Sequence, residues 1–254
     1  MLTSSETKQN KRRMRDLSTQ QHTLIASEYD LRITNLARFL YSKMPLKSGR
    51  LIDIGAGNGL FLKFFKDRGF NVEGIELEKD QVHEMKADNR LKGVPVRQGD
   101  ITKLSGKAEY DIVIASDVIE HIEDDAKALK NLYTFVKPGG YLVITVPAHA
   151  HLYGKRDKAW GHYRRYDVAY LRGRMAALPG SDIRIMTHWN TIGYFAYFFY
   201  ERILGRPIEE KFRYSDSVTS KLIRKVTEQE LKLEELLGGT RAGLTLVAMT
   251  QKTT

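Results

Sequence analysis

The stretch LIDIGAGNGLF, residues 51–61, joins two different sequence patterns. Its first half belongs to the short apolar run Arg50–Ile54, and its end opens a segment, Gly59–Arg68, with apolar side chains at helical spacing. Glycines at positions 55, 57 and 59 lie between the two. Glycine lets the backbone turn sharply and approach a ligand closely. The stretch therefore predicts a strand, a glycine loop and a helix whose first turn faces a nucleotide-like ligand.

Strand and helix patterns alternate along the chain around this loop. The predicted strands are Arg50–Ile54, Asn71–Glu76, Val94–Gln98, Tyr110–Ala115, Tyr141–Val146, Ile183–His188 and Gly243–Thr250. The predicted helices are Leu24–Met44, Gly59–Arg68, Lys79–Arg90, Asp124–Val136, Asp167–Ala177, Thr191–Leu204 and 217–237. Alternation at this spacing predicts an α/β fold with a parallel sheet covered on both faces. Pro138–Gly140 predicts a turn.

The spacing of the glycines and the residue before them point to the ligand. Gly55, Gly57 and Gly59 form G-x-G-x-G, whereas a dinucleotide loop reads G-x-G-x-x-G. Asp53 precedes the loop. A carboxylate is unfavourable beside a pyrophosphate and favourable beside the ammonium group of an amino acid. S-adenosylmethionine (SAM) carries such an ammonium, so these residues favour SAM over NAD.

Two further carboxylates follow the next predicted strands. Glu76 ends the second strand and can accept hydrogen bonds from both ribose hydroxyls. Asp100 follows the third strand and can accept from the adenine amino group, while Ile101 packs on the ring. Either acid alone could be an ordinary exposed loop residue. Three acids at successive strand ends instead predict one cofactor site at the carboxyl edge of the sheet.

The segments Leu51–Phe61, Glu76, Gly99-Asp100, Asp111–Ile122 and Val136–Val146 resemble the consecutive motifs of class I SAM-dependent methyltransferases. The resemblance covers about residues 50–148. It implies a doubly wound, Rossmann-like sheet of seven strands with the last strand antiparallel, helical cap elements over an acceptor pocket, and S-adenosylhomocysteine (SAH) as the product. The cofactor-binding residues that it implies are Asp53, Gly55, Ala56, Gly57, Asn58, Gly59, Glu76, Leu77, Asp100, Ile101, Ser116 and Asp117.

Two other segments carry narrower resemblances. Ser116–His121 is similar to the small-molecule and quinone-type branch of the family, in which a glutamate-histidine pair follows the fourth strand. The run from Tyr153 to Tyr166 resembles bacterial and archaeal methyltransferases associated with surface glycans or specialised metabolism. Both resemblances imply an acceptor that is a small molecule or a glycan.

Methyl transfer from a sulfonium needs alignment of the acceptor and exclusion of water, and a hydroxyl acceptor also benefits from a general base. The candidate bases are His121, His149, His151 and His162. His121 could instead form a hydrogen bond with a backbone group at the start of the next helix. We predict no metal site, because His149 and His151 would point to opposite faces of an extended chain and no H-E-x-x-H or cysteine cluster is present.

The segment 149–166 also supplies candidate acceptor-binding residues, Tyr153, Arg164, Arg165 and Tyr166. The two arginines could clamp a phosphate or carboxylate of the acceptor through paired hydrogen bonds. They could equally pair with nearby acids such as Asp157 or Asp167. The sequence leaves both interpretations open.

Composition sets the wider limits. The 254 residues include no cysteine, which excludes disulfides and a cysteine nucleophile, and the formal net charge is +10. We divide the chain into a basic flexible tail, 1–22, and a single domain, 23–254, with its core at 46–148, an acceptor-side lid and cap at 149–240, and a final strand at 243–250. The polar N-terminus lacks a signal-peptide pattern and no apolar run reaches the roughly 18–20 residues of a membrane span, so we expect a cytoplasmic protein.

Three functions fit these features. The first is methylation of oxygen or nitrogen in a small molecule or in a glycan or lipid-linked acceptor that can carry negative charge. The second is RNA ribose methylation; base methylation is disfavoured because Ser116–Ile119 lacks an Asn/Asp-Pro-Pro-aromatic run and cysteine is absent. The third is a non-catalytic SAM-binding module that binds a partner through 217–237. Aromatic residues beside Arg202 and Arg206 also allow peripheral membrane contact.

Overall fold

The computed structural model describes residues 30–206 and 217–253. The predicted basic tail, 1–22, and the first six residues of the predicted N-terminal helix lie outside the described residues. The strands are β1 Gly49–Ile54, β2 Phe70–Glu76, β3 Val96–Gln98, β4 Tyr110–Ser116, β5 Val136–Pro147, β6 Ser181–Trp189 and β7 Thr245–Lys252. The α-helices are α1 Leu31–Lys43, α2 Leu60–Lys66, α3 Lys79–Ala87, α4 Asp125–Phe135, α5 Lys155–Ala159, α6 Val168–Ala176, α7 Thr191–Tyr197 and α8 Val218–Leu237.

The seven strands form one sheet in the order β3-β2-β1-β4-β5-β7-β6. β7 is antiparallel to both of its neighbours, and the remaining pairs are parallel. This confirms the predicted doubly wound sheet with an antiparallel last strand. The strand order reverses between β1 and β4, so a crevice opens there at the carboxyl ends of the strands, where ligands bind in open α/β sheets.

Both faces of the sheet are buried. In β4, Ile112 and Ile114 pack with α1, α2, α3 and the C-terminal half of α8, whereas Val113 and Ala115 pack with α4 and α6. Successive strand residues point to opposite faces, so an uninterrupted apolar run fills both layers. The continuous apolar character of the predicted strands is explained by this two-sided burial.

Besides shifts of up to three residues at the ends of elements, the structure differs from the sequence prediction at three places. One is α5, Lys155–Ala159, which was not predicted. β5 starts at Val136, so the predicted turn at Pro138–Gly140 is a local irregularity within the strand, where Gly139 has a φ of +80°. The predicted helix Thr191–Leu204 consists of α7 followed by a π-helical stretch, Phe198–Ile203; we call residues 191–203 the aromatic helix. Among the described residues, no helix combines the length and the apolarity that a membrane span requires.

Candidate active site

The glycine loop occupies the crevice between β1 and β4. A side chain at Gly55 would overlap Val118, which follows β4, and one at Gly59 would overlap Leu91. Gly57 has a φ of +54°, and a Cβ there would meet no atom within 4 Å. Two of the glycines therefore allow close packing, while the third turns bare backbone toward open space. That combination fits the close approach of a ligand to the loop.

Asp53 is buried beneath the loop with only 1% of its surface exposed. Neither carboxylate oxygen has a hydrogen-bond partner in the described part of the chain. Burial raises the pKa of Asp53 to about 8, and the negative charge of Glu76 adds to the effect. A buried carboxylate without a partner is costly, and a cationic ligand group would relieve that cost. The site therefore fits the ammonium group of SAM.

Glu76 connects the end of β2 to the loop. Its Oε2 accepts a hydrogen bond from the Gly57 N–H at 2.8 Å, and its Oε1 accepts from the backbone N–H groups of Leu77 and Glu78 at 2.7 and 3.0 Å. A carboxylate has about four lone-pair sites, so Oε2 retains capacity for a ribose hydroxyl. Leu77 stays 54% exposed at the same edge, where a flat apolar group can cover it.

Asp100 is held in a tight turn after β3. Its Oδ1 accepts from the Thr102 N–H at 2.9 Å and from the Thr102 hydroxyl at 2.7 Å, and its Oδ2 lies 3.1 Å from Lys103 Nζ. The Thr102 hydroxyl contributes most to lowering the pKa of Asp100 below its usual range. Asp100 is therefore an ionised acceptor beside Ile101, which is buried.

The residues after β4 bring α1 over the crevice. Ser116 Oγ lies 2.7 Å from Thr145 Oγ1, and the Asp117 N–H donates to the Thr145 carbonyl. Asp117 takes a positive φ of +54°, and its carboxylate lies 2.6 Å from Arg32 Nη2 on α1. The helix before the core thus contacts the carboxyl edge of the sheet, as the family resemblance implies for a cap element.

The predicted histidines fall into two groups. The first group contains His121, in the turn after β4, and His162, whose rings meet edge to face at 4.6 Å. Burial, together with the neighbouring His162, lowers the pKa of His121 to about 4, so His121 is neutral at neutral pH. The turn also carries Glu120, which is fully buried, and burial and Asp117 raise its pKa.

Asp157 is the polar centre of the segment that follows β5. Its Oδ1 lies 3.1 Å from His162 Nδ1 and accepts from Arg165 Nε at 2.8 Å. Its Oδ2 accepts from the Gly154 N–H at 2.8 Å and from the Tyr197 hydroxyl at 3.3 Å. Burial alone would raise the pKa of Asp157, but the contacts with His162 and Arg165 outweigh it and hold the pKa at about 2. An ionised carboxylate only accepts, so His162 Nδ1 carries a proton and Nε2 is the basic nitrogen.

Each of the predicted acceptor-binding residues has a partner within the protein. Arg165 pairs with Asp157, and Arg164 Nη1 lies 3.0 Å from the buried Asp125 rather than near Asp167. Tyr166 is fully buried, and its hydroxyl lies 3.2 Å from Asp125 Oδ2. The alternative in which the arginines pair with acids is therefore the one that the structure adopts. Tyr153 donates to the His162 carbonyl at 2.8 Å.

The second group of histidines lies between β5, β6 and α7. The His149 ring is parallel to that of His188 at 4.8 Å and lies 4.6 Å from Tyr194 and 5.5 Å from His151. Burial lowers the pKa of His149 to about 4, and His188 and His151 add to the shift. His149 has a φ of +67° and a 3-10 turn follows it, so the extended chain assumed for His149 and His151 is wrong.

One combination of these side chains could hold a cation. Glu120, His121 and His162 each offer a donor atom, and the three atoms lie within 4.8 Å of one another. Imidazole nitrogens with a carboxylate suit first-row divalent metals. The sequence prediction of no metal site rested on His149 and His151 and did not consider this group. Its only local signal was the Glu120-His121 pair after β4.

Comparisons with known proteins identify the family of the chain. A family model described as "Methyltransferase domain" matches residues 25–185, more than half of the chain. A ubiquinone biosynthesis O-methyltransferase of Rickettsia conorii is 28% identical over 134 residues, 50% of this chain and 46% of that protein. The enzyme of the same name from Rickettsia canadensis is 32% identical over 97 residues, 37% of this chain and 41% of that protein. The chain spans about half the length of the curated relatives it matches.

Solved structures share the fold across most of the chain. A SAM-dependent methyltransferase from Mesorhizobium loti superposes with a TM-score of 0.60 at 14% identity, over 85% of this chain and 97% of that one. Phosphoethanolamine N-methyltransferase 2 of Haemonchus contortus, in complex with SAM, gives a TM-score of 0.54 at 21% identity, over 87% of this chain and 53% of that one. The chain therefore belongs to the methyltransferase-domain family, with the class I fold and SAM as the cofactor of the family.

Proposed function

We propose that the chain transfers the methyl group of SAM to a hydroxyl oxygen of a small molecule. The observation that carries the proposal is the His121-His162-Asp157 arrangement beside the glycine loop. The His121 N–H donates to the carbonyl of Val118, the residue that packs on Gly55, so this turn lies against the loop. The relatives named as O-methyltransferases support the choice of oxygen.

Separate groups of residues hold the cofactor in this proposal. Asp53 binds the ammonium, Glu76 the ribose hydroxyls, and Asp100 with Ile101 the adenine. Gly57 allows the backbone to approach the ligand without a clash. When bound, SAM supplies a methyl group on a sulfonium, whose sulfur keeps the bonding electrons and leaves as a neutral thioether. The protein must then orient the acceptor oxygen, exclude water and accept one proton.

His162 is the proton acceptor that fits best. A general base works best when its conjugate acid is stabilised, and the carboxylate of Asp157 faces His162 Nδ1 at 3.1 Å. In the described part of the chain no carboxylate is hydrogen-bonded to His121, and a pKa near 4 makes it a weak base at neutral pH. The acceptor proton therefore passes to His162 Nε2, while His121 lies beside it as a neutral group.

Substitution at His162 tests this assignment. We expect His162→Asn to lower kcat by about 10²–10⁴-fold with hydroxyl acceptors and to leave SAH affinity unchanged. His83→Asn, at an exposed position on α3 outside both histidine groups, is the matched control. The assay measures SAH release across a panel of phenols, alcohols, glycans and amines, and calorimetry measures SAH binding. Release with amines alone, or equal losses in the two variants, would contradict the proposal; SAH binding without turnover on any acceptor would favour a non-catalytic module.

The structure also bears on the charge of the acceptor. Arg164 and Arg165 were the residues expected to bind an anionic group, and each is paired with a buried acid. We therefore propose an acceptor that binds without these arginines, through the apolar and aromatic side chains around the two histidine groups. Kinetics with Arg164→Lys test this: KM for the best acceptor should stay within about threefold, since Asp125 keeps a cationic neighbour.

A further inference from the structure

One face of α8 is apolar and exposed. Its members recur at helical spacing and are between 52% and 85% exposed: Val218, Leu222, Val226, Leu233, Leu236 and Leu237. We call this set the apolar stripe. The opposite face carries Ser220, Leu231 and Glu234, which are buried against the body of the protein. Helical geometry places the stripe within an arc of about 100°, which is the width of a face that normally contacts another apolar surface.

Basic residues follow one edge of the apolar stripe. Lys221, Lys225 and Lys232 lie within about 60° of its margin on the helix surface. Lys221 and Lys225 are exposed, and Lys232 is partly exposed with its Nζ 2.7 Å from Glu228. An apolar face bordered by lysines is the pattern of helices that lie in the interface of an anionic membrane.

The aromatic helix presents a second exposed apolar surface. Its outward residues are Phe195, Phe198, Phe199, Tyr200, Ile203 and, directly after it, Leu204. The two helices are held together at their base, because Glu234 of α8 accepts from the N–H groups of Asn190 and Thr191 at 2.6 and 2.8 Å. Glu230 also accepts from the Ile192 N–H at 3.0 Å. The two surfaces therefore belong to one fixed pair of helices.

We propose that α8 and the aromatic helix together bind the surface of an anionic phospholipid membrane. Charge complementarity favours this occupant over a second copy of the chain. Each copy carries a formal net charge of +10, so two copies repel each other, and lysines border the apolar stripe in both. An anionic surface instead attracts these lysines while the apolar stripe enters the headgroup region.

The aromatic helix also lies next to the second group of histidines. Tyr194 of the aromatic helix contacts the His149 ring at 4.6 Å, and Arg202 donates to the carbonyls of His151 and Tyr153. The membrane-binding surface therefore adjoins the acceptor side of the sheet. An apolar acceptor could then pass from the membrane to the site; this last step rests on the proposed function, whereas membrane binding does not.

Vesicle co-sedimentation of the full chain tests the proposal. We expect binding to vesicles that contain phosphatidylglycerol, weak binding to phosphatidylcholine alone, and a decrease with added salt. Leu222→Gln combined with Leu233→Gln, and separately Lys221→Gln combined with Lys225→Gln, should each lower the partition coefficient about tenfold or more. Lys86→Gln combined with Lys107→Gln removes the same charge from exposed positions elsewhere and should have a much smaller effect.

Three results would overturn the proposal. Equal losses in the two lysine pairs would show nonspecific attraction of a basic protein. A dimer in analytical ultracentrifugation that the leucine variant converts to a monomer would show that a second copy covers the stripe. Absence of binding to anionic vesicles would reject it outright. SAH affinity should be unchanged in every variant, which shows that each one is folded and separates this test from the one on His162.

Discussion

In the proposed function, the protonation state of Asp53 determines the pH range in which the protein binds SAM or SAH. Its ordinary pKa is 3.8 and burial raises it to about 8, so much of the free protein carries a proton at this carboxyl below pH 8. Binding of an ammonium group favours the ionised form. We therefore expect SAH affinity to increase between pH 6 and pH 8, with release of a proton on binding.

The raised pKa of Asp53 has the opposite effect on the free protein, whose stability falls as the pH rises. An acid with a raised folded-state pKa adds stability below its unfolded pKa of 3.8, and this contribution is lost as the pH rises through about 8. The increase in Tm on adding SAH should therefore be larger at pH 8 than at pH 6. Calorimetry in buffers of different ionisation enthalpy measures the proton release, and Asp53→Asn should abolish both pH effects. A variant that keeps them would show that another group titrates.

The positions of the loop glycines and of the acids near them were predictable from the sequence, because residues close by in the chain determine them. Gly55, Gly57 and Gly59 lie within five residues of β1; Asp53 and Glu76 lie at the ends of β1 and β2, and Asp100 follows β3. The state of Asp53 was not predictable, because its burial comes from the whole sheet. The same holds for His188, which the sequence analysis missed: it stacks on His149 from a strand about forty residues away in sequence.

The segment between β5 and α6 depends on a buried ionic network. Asp157 is fully buried, and its partners His162 and Arg165 come from the loop that follows α5. Asp157→Asn would leave Arg165 as a buried cation without its carboxylate. We expect it to lower the free energy of unfolding by about 3–5 kcal/mol, the range for breaking a buried pair. Urea unfolding at pH 7 measures this, and a loss below 1 kcal/mol would contradict it.

The same network predicts an acid dependence. The pKa of Asp157 is about 2 in the folded protein, against an ordinary value of 3.8, so its contribution to stability is present above about pH 4 and is lost as the pH falls toward 2. That shift corresponds to about 2 kcal/mol. Asp182→Asn is a suitable control, because Asp182 forms an exposed pair with Arg184 and should change little.

The sequence correctly predicted the strands and helices whose ends are determined by the local pattern of apolar residues and turns. The units from β1 to β4 were correct within three residues at their ends, the largest error being the predicted helix Lys79–Arg90, which ends at Ala87; each apolar run is short and bounded by turns. Pro138–Gly140 was misassigned because Tyr110 pairs with Val136, and this pairing extends β5 through a typical turn sequence. The partner of Arg164 was also hidden, because Asp125 lies on α4, far from it in sequence.

The charge of the protein is a property of the entire surface, and it bears on the RNA alternative. A net charge of +10 attracts any polyanion at low salt, so binding of RNA alone does not show a substrate. Basic residues at the candidate site are already engaged: Arg32 with Asp117, Arg164 with Asp125 and Arg165 with Asp157. Within residues 30–206 and 217–253, these three arginines are therefore engaged with acids of the protein and not held ready for RNA phosphates.

We therefore expect RNA binding to be weak, insensitive to sequence and lost between about 50 and 200 mM salt, with no methyl transfer. Incubation with tritiated SAM and total RNA, followed by nucleoside separation, measures transfer directly. A small hydroxyl acceptor from the panel above, tested in the same reaction, controls for active enzyme. Tritium in 2′-O-methylated nucleosides at 150 mM salt would overturn the small-molecule assignment, because ribose methylation would then persist where electrostatic attraction alone has been screened.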